Sequence, residues 1–578
     1  MTSLELLGMF FLPPTLDRKK NGVRKPTLSK TAWIVFVFCV AATAASAQTF
    51  TSLLSFDGTN GSQPLLGSLV QGIDGNLYGI ADMGASDGCG TLFKITTGGT
   101  LTTLFNFQDN GNGCHPDGGL ALAANGDIYG STTDAGSDGV GTVFKVTPAG
   151  TLTTVHEFNR TEGANTNSAL VQGTGGNLLG TTVNGGTGGG GIGFCGPTAD
   201  GCGSIFKMTP GGTLTVLHEF DFTDGWDPRD APLIQATDGN FYGVTAGGGS
   251  LGITCVNNCG TVFKISPGGI FERLLNFDGA NGFVPLAGVI QAADGNLYGT
   301  TSQGGGPHGD GTVFKLTLGG ELTTLHSFDG TDGSNPFGVL VQATDGNFYG
   351  TTNAGGANGD GTVFEITPTG TLTTLHNFDG TDGAGAQSGL LQATNGIFYG
   401  NTFGGGASGD GTVFSLSTGL GPFVTFLPAA RPVGGIVEIL GQGFTGTTGV
   451  SFNGTAATFT VESDTYLTAA VPAGASTGSI IVTEPGGTLT SNKTFRVVPQ
   501  IMSFSPTNGP VSTSVVITGE SFIGVIDVHF GNVKVTSFTV DSDTQITATV
   551  PAGAETGKIS VCSAGGSGDS ATSFTVTP

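Results

Sequence analysis

Internal repetition constrains this 578-residue chain more than any other feature. A Gly-Thr-Val-Phe string, with variants, begins at Gly90, Gly141, Gly203, Gly260, Gly311, Gly361 and Gly411. A second marker, usually Tyr-Gly, places its glycine at Gly79, Gly130, Gly180, Gly243, Gly299, Gly350 and Gly400. A third is the phenylalanine ending a Thr-Leu-Thr-Thr-Leu-His-x-Phe segment, at Phe56, Phe107, Phe158, Phe220, Phe277, Phe328 and Phe378. The copies lie about 50 residues apart, with insertions in the third and fourth. A fixed period of this length marks an array of like supersecondary units.

Each unit carries four strand-like stretches, here named a to d. In the sixth they are expected at 339–344, 347–352, 361–367 and 371–378. They mix β-branched and aromatic residues between Gly, Asp and Asn, and Asp345-Gly346 is a two-residue hairpin signal because glycine accepts positive φ. With 105 Gly and only 11% charged residues the chain could pass for disordered, but its 40 Phe at fixed spacing argue for short strands joined by tight turns. Four antiparallel strands per repeat is the propeller pattern. The chain enters with a lone d-like strand at 50–56 and leaves after a, b and c of the last unit near Ser417. A ring profits from such a split, because the first strand completes the last sheet and removes both open edges. The expectation is all-β: a seven-bladed β-propeller over residues 48–419.

The strings Leu-Val-Gln-Ala-Thr-Asp-Gly-Asn-Phe-Tyr-Gly-Thr-Thr and Gly-Asp-Gly-Thr-Val-Phe resemble the GloVer-type bacterial tandem repeat across about 50–418. That resemblance implies an exported protein and no reaction. The chain carries no visible sorting motif, terminal apolar helix or basic tail. A second periodicity, of 78–79 residues, pairs Phe444 with Phe522, Phe452-Asn453-Gly454 with Phe530-Gly531-Asn532, and Val471-Pro472-Ala473-Gly474 with Val550-Pro551-Ala552-Gly553. Both copies resemble IPT/TIG domains, which implies two immunoglobulin-like β-sandwiches, over 420–498 and 499–578. Members of that family serve in transcription factors and in surface proteins.

The N-terminus reads as a secretory signal over 1–47. Arg18, Lys19, Lys20, Arg24, Lys25 and Lys30 precede an apolar run from Ala32 to Ala42, and Ala45-Ser46-Ala47 fits a cleavage site that leaves Gln48 first. The run is too short for a membrane span, which needs roughly 20 residues. Cleavage moves the net charge from −24 to −28. A chain this acidic repels nucleic acid and anionic membranes, which favours the surface-protein role for the IPT/TIG copies, and no transmembrane span is expected.

Candidate sites are few. His156, His218, His326 and His376 share one repeat position that elsewhere holds Leu54, Phe105 and Leu275, so the position is read as packing. The Asp-Gly-Thr-Asn/Asp loops lack the spacing of a calcium loop and read as Asx turns. No nucleophile elbow or phosphate loop is present, and no metal or cofactor is expected. One loop breaks the repeat: Trp226, Asp227, Arg229 and Asp230 follow the fourth strand d, and Trp226 is the only Trp beyond the signal. An indole beside carboxylates and a guanidinium suits sugar or peptide contact; the competing reading is packing on a neighbouring unit. The cysteines suggest Cys195–Cys202 and Cys255–Cys259 bridges within two inserted loops, Cys89 with Cys114 across a c–d hairpin, and Cys562 free. The functional expectation is a non-catalytic, secreted or cell-surface protein for recognition, adhesion or scaffolding, with a glycan or protein ligand. The alternative is a propeller-based polysaccharide lyase or glycoside hydrolase.

Overall fold

The computed structural model describes residues 48–578 apart from 66, 110–111, 187–200, 250–258 and 564. The described residues form strands and turns without a helix, so no helix among them is long and apolar enough to cross a membrane. The seven units give seven four-stranded antiparallel sheets. In the first, Val70–Gln71, Leu77–Ala81, Thr91–Ile95 and Leu101–Asn106 are strands a to d in spatial order. The seventh takes a to c from Leu391–Gln392, Phe398–Thr402 and Thr412–Ser417, and its fourth strand is Thr49–Ser55. Thr49 pairs with Ser417 and Ser55 with Thr412.

Strand a is shorter than the sequence suggests: Val341–Gln342 in the sixth unit. The residues before it meet the next unit instead of their own sheet. A Cβ on Gly338 would lie 2.5 Å from the Ser388 carbonyl oxygen. Strand b is buried along all five residues in every unit, as in Phe348–Thr352, and strand d is half exposed. Seven apolar clusters lie between successive units, and one of them joins Leu77 and Phe93 of the first to Tyr399 and Val413 of the seventh.

One contact recurs at every junction. The phenylalanine ending strand d packs against the strand-c phenylalanine of the next unit, with centroids 5.2–5.5 Å apart: Phe107 on Phe144, Phe158 on Phe206, Phe220 on Phe263, Phe277 on Phe314, Phe328 on Phe364, Phe378 on Phe414 and Phe56 on Phe93. Each strand-c ring in turn lies over the glycine of its own strand b. A Cβ on Gly350 would sit 2.6 Å from Phe364 Cζ, and one on Gly79 2.4 Å from Phe93 Cζ.

Backbone and glutamine bonds add to this contact at the two ends of each junction. In the connection from d to a, one residue with positive φ donates its N–H to the carbonyl just before strand c of the preceding unit. These residues are Gln63, His115, Asn165, Asp227, Val284, Asn335 and Gly385, and their acceptors are Asp410, Cys89, Val140, Cys202, Cys259, Asp310 and Asp360. At the other end, the glutamine closing strand a accepts from a backbone N–H in the preceding a–b turn: Gln172 from Ala124, Gln235 from Thr174, Gln291 from Thr237, Gln342 from Ala293, Gln392 from Thr344 and Gln71 from Thr394. The second unit has Leu122 at that position. The junction without the glutamine bond carries a disulfide, Cys89–Cys114, with Cα atoms 4.6 Å apart.

Beyond the repeats, 424–497 forms two four-stranded sheets around one apolar core that includes Phe426, Phe452 and Phe495. Residues 504–574 repeat the arrangement around Phe504, Phe530 and Phe574, with a five-stranded second sheet. Ser521 Oγ donates to the Ala475 carbonyl between the two cores.

Because the Gly350 site has no room for a methyl, Gly350→Ala should cost about 1–3 kcal/mol by overpacking. Gln71→Leu strands the buried Thr394 N–H and should cost about 1–3 kcal/mol, more than Gln342→Leu, whose partner N–H is exposed. Urea unfolding of the three variants measures both.

Candidate ligand-binding face

The d-to-a connections that carry the seven positive-φ residues are also where the units stop being alike. Four positions before the residue that pairs with the b-strand Tyr or Leu, successive units hold Leu66, Asp117, Asn167, Asp230, Leu286, Phe337 and Gln387. The residue just after strand b varies too: Asp82, Thr133, Val183, Ala246, Ser302, Asn353 and Phe403. The two sets meet. Thr133 donates to Asp117 Oδ2 at 3.4 Å, and Gln387 donates to Asn353 Oδ1 at 3.1 Å. His115 Nδ1 lies 2.9 Å from Oδ1 of the buried Asp82.

The loop singled out in the sequence sits in this region. Asp227 is buried, with φ near +59°, and is the fourth unit's positive-φ residue. Its carboxylate accepts from Arg229 Nε at 2.7 Å to both oxygens, and Arg229 Nη2 lies 2.6 Å from Oδ2. Asp227 thereby fixes a guanidinium that stays partly exposed at the surface. Trp226 pairs backbone to backbone with Gly247. Its half-buried indole lies against that glycine, whose Cβ would fall 2.1 Å from Nε1, and it joins the cluster of Phe220 and Phe263. One part of the indole thus packs within the loop while the residue stays half exposed, and Arg229 is the loop's exposed cation.

Asp230 and Asp117 lie two units apart, and the Asp230 carboxyl bears on Asp117. Burial pushes the Asp230 carboxyl up to about 8, with Arg229 opposing and Asp227 adding to the shift. Burial, then the Asp82 carboxyl, then Asp230, raise Asp117. Asp117 Oδ1, Asn167 Oδ1 and Asp230 Oδ1, at the same register in three consecutive units, are buried with no hydrogen-bond partner among the described residues. Asp82, Asp117 and Asn167 were not legible as site residues from their own neighbourhoods. Aligning the connections on strand a, rather than on strand d, would have exposed this column as one that varies from unit to unit.

The other sequence candidates fall elsewhere. His156, His218, His326 and His376 pair through Nε2 with Glu162, Asp224, Asp332 and Asp382 at 3.2, 2.8, 2.7 and 2.8 Å, tying strand d to its following turn. His376 stacks on Phe50 and His218 on Phe271 of the neighbouring strand d. Asp329 and Asp379 accept hydrogen bonds from Thr331 and Thr381 in their own turns. Cys202 and Cys259 are disulfide-bonded, and Cys195 and Cys255 lie outside the described residues. Cys562 is a free thiol. No group of three or more His, Cys, Asp or Glu among the described residues could hold a metal ion.

The raised Asp230 value makes stability fall as pH climbs. The folded state holds its proton up to about 8, whereas the ordinary value is 3.8. Stability from this group is complete below the ordinary value and is lost through that window. Asp230→Asn should match wild type at pH 4 and exceed it at pH 9, by on the order of 2 °C in Tm; equal melting at both pH values would contradict the assignment.

Known proteins place the chain. The model of the Gloeobacter/Verrucomicrobia repeat matches residues 37–194, 194–414 and 250–461, and that of the IPT/TIG domain matches 499–577. No curated protein matches. Among solved structures, a fungal alcohol oxidase of the AA5 family in complex with copper is 14% identical, with 78% of this chain and 98% of that one covered and a TM-score of 0.46. The extracellular domain of a hybrid two-component system from B. thetaiotaomicron is 13% identical over 88% and 65%, at 0.41. SGBP-B from a xyloglucan utilization locus of Bacteroides uniformis is 20% identical over 26% and 48%, at 0.14. All three scores lie below 0.5, and none bears on the site. The repeat matches together span well over half of the sequence, and the chain belongs to the Gloeobacter/Verrucomicrobia repeat family, with an IPT/TIG domain at its C-terminus.

Proposed function

We propose that this is an exported recognition protein: a closed seven-bladed β-propeller over 48–419, followed by two immunoglobulin-like IPT/TIG sandwiches over 420–498 and 499–578. It binds an extracellular glycan or protein through the face built from the d-to-a connections and catalyses no reaction. Closure is supported by the seventh-to-first junction, which has the phenylalanine pair, the backbone bond from Gln63 and the Gln71 bond found at other junctions. The observation that carries the binding role is the concentration of non-repeating residues on one face. Loops on a rigid scaffold commonly carry function, and a lopsided set of side chains on a symmetric frame suits an asymmetric ligand. Acidic and amide groups of units two to four stand there with half-buried Leu286, Phe337 and Phe403 of units five to seven.

The enzyme alternative draws on the same place, since buried carboxyls that hold protons are suited to acid–base work on glycosides. Screening the secreted protein on a glycan array and on polysaccharides, for binding and for turnover, separates the two. Binding without turnover is the expected outcome. Arg229→Ala should weaken binding about 10-fold or more, and Trp226→Ala should weaken it by loosening the loop; unchanged affinity in both, with melting preserved, places the ligand elsewhere. The export reading carries its own check. N-terminal sequencing should begin at Gln48, and non-reducing peptide mapping should recover Cys195–Cys202 and Cys255–Cys259.

A further inference from the structure

We propose that the first C-terminal sandwich is a staple that holds the first and seventh repeats together, so that the closed state of the repeat region depends on it; the inference rests on the closed-ring reading above. The one break in chain continuity among the seven sheets lies within the seventh, between Thr412–Ser417 and the N-terminal strand Thr49–Ser55, whose chain runs on into the first repeat. Its two sides meet through the N-terminal strand Thr49–Ser55 on Thr412–Ser417 and through the Ser62 Oγ bond to Asp410 Oδ1 at 2.8 Å. The contacts shared by the other junctions add to these.

The sandwich touches both sides of this break. On the seventh repeat, Gln442 Nε2 donates to Thr394 Oγ1 at 2.8 Å, and Phe423 N–H donates to the Thr394 carbonyl at 3.0 Å. Thr394 Oγ1 donates onward to the Gly441 carbonyl at 3.3 Å. On the first repeat, Thr465 Oγ1 donates to the Ile73 carbonyl at 2.9 Å. Thr394 and Ile73 lie in the a–b turns of the seventh and first repeats. Thr394 also receives Gln71 Nε2 at 3.1 Å, so the sandwich and the inter-repeat glutamine share one hydroxyl.

The a–b turn glycines show that the placement is specific. A Cβ on Gly75 of the first repeat would meet Thr465 Cγ2 at 2.7 Å, and one on Gly396 of the seventh would meet the Leu420 carbonyl oxygen at 2.3 Å. The equivalent Gly176, Gly239, Gly295 and Gly346 have nothing within 4 Å, and Gly126 touches Ile73 and Pro148 of the repeats themselves. The sandwich therefore covers the a–b turns of the seventh and first repeats, which belong to the two sides of the break, and leaves the others open. It also occupies the a–b end of the sheets, opposite the d-to-a connections, so the proposed recognition face stays clear of it.

Hydrogen exchange of the full-length protein tests this with the double variant Gln442→Ala/Thr465→Val. A control, Thr460→Val, changes an exposed strand residue of the same sandwich. Removing the side-chain bonds should lower protection of Thr49–Ser55 and Thr412–Ser417 about 10-fold and leave Leu214–Glu219 in the fourth sheet's neighbour unchanged. The control should match wild type. Unchanged protection at the break overturns the staple, as does an equal loss in every sheet. A wild-type protein in which 49–55 exchanges freely overturns the closed ring itself, a different result from failure of the staple.

Discussion

The structure depends on one contact: an aromatic ring set on a glycine and met from the next repeat by a second ring. All three sequence markers are parts of it. The Tyr-Gly glycine leaves the floor free, the Val-Phe phenylalanine lies on that floor, and the phenylalanine after His-x closes over it from the preceding unit. Tilted or edge-on ring pairs at this separation add about 0.5–1.5 kcal/mol beyond their buried area. The pair recurs seven times, each time inside an apolar cluster shared by neighbouring sheets. The hydrogen bonds at either end then fix the angle at which one sheet meets the next.

That logic explains why so much of the fold was readable. Markers imposed by a contact must recur wherever the contact recurs, so strands b, c and d could be located from Gly350, Phe364 and Phe378 alone. The split unit at the two ends of the repeat region pointed to the pairing of Thr49–Ser55 with Thr412–Ser417. Strand a was overestimated because the residues before Val341 look strand-like, yet Gly338 lies against the next unit instead of pairing in its own sheet. The histidine column was read as packing because Leu54 and Leu275 substitute for it. What that reading missed is a correlation six residues on: an acid follows each histidine, and Asn60 and Asn281 follow the two leucines. The pairing was visible as covariation between repeats of one chain.

The candidate site was the least legible part, for a physical reason. This column takes no part in the shared inter-unit contact, so nothing in that contact holds its residue type constant. Its residues carry no marker and look like noise along the sequence. Trp226 stood out because it is rare, and its half-buried indole packs on Gly247 within the loop. The chemistry around it belongs to Asp227, which aims Arg229, and to Asp117, Asn167 and Asp230, drawn from three different repeats.

The exchange of a glutamine for Leu122 at the junction spanned by Cys89 and Cys114 gives the array a compartment-dependent weak point. In a reducing cytoplasm the first junction has its ring pair and its backbone bond from His115, and nothing in place of the glutamine. Oxidation supplies the missing restraint in covalent form. Under reducing conditions the array would thus be easiest to open between its first two repeats, and oxidation would bring that junction closer to the restraint of the others.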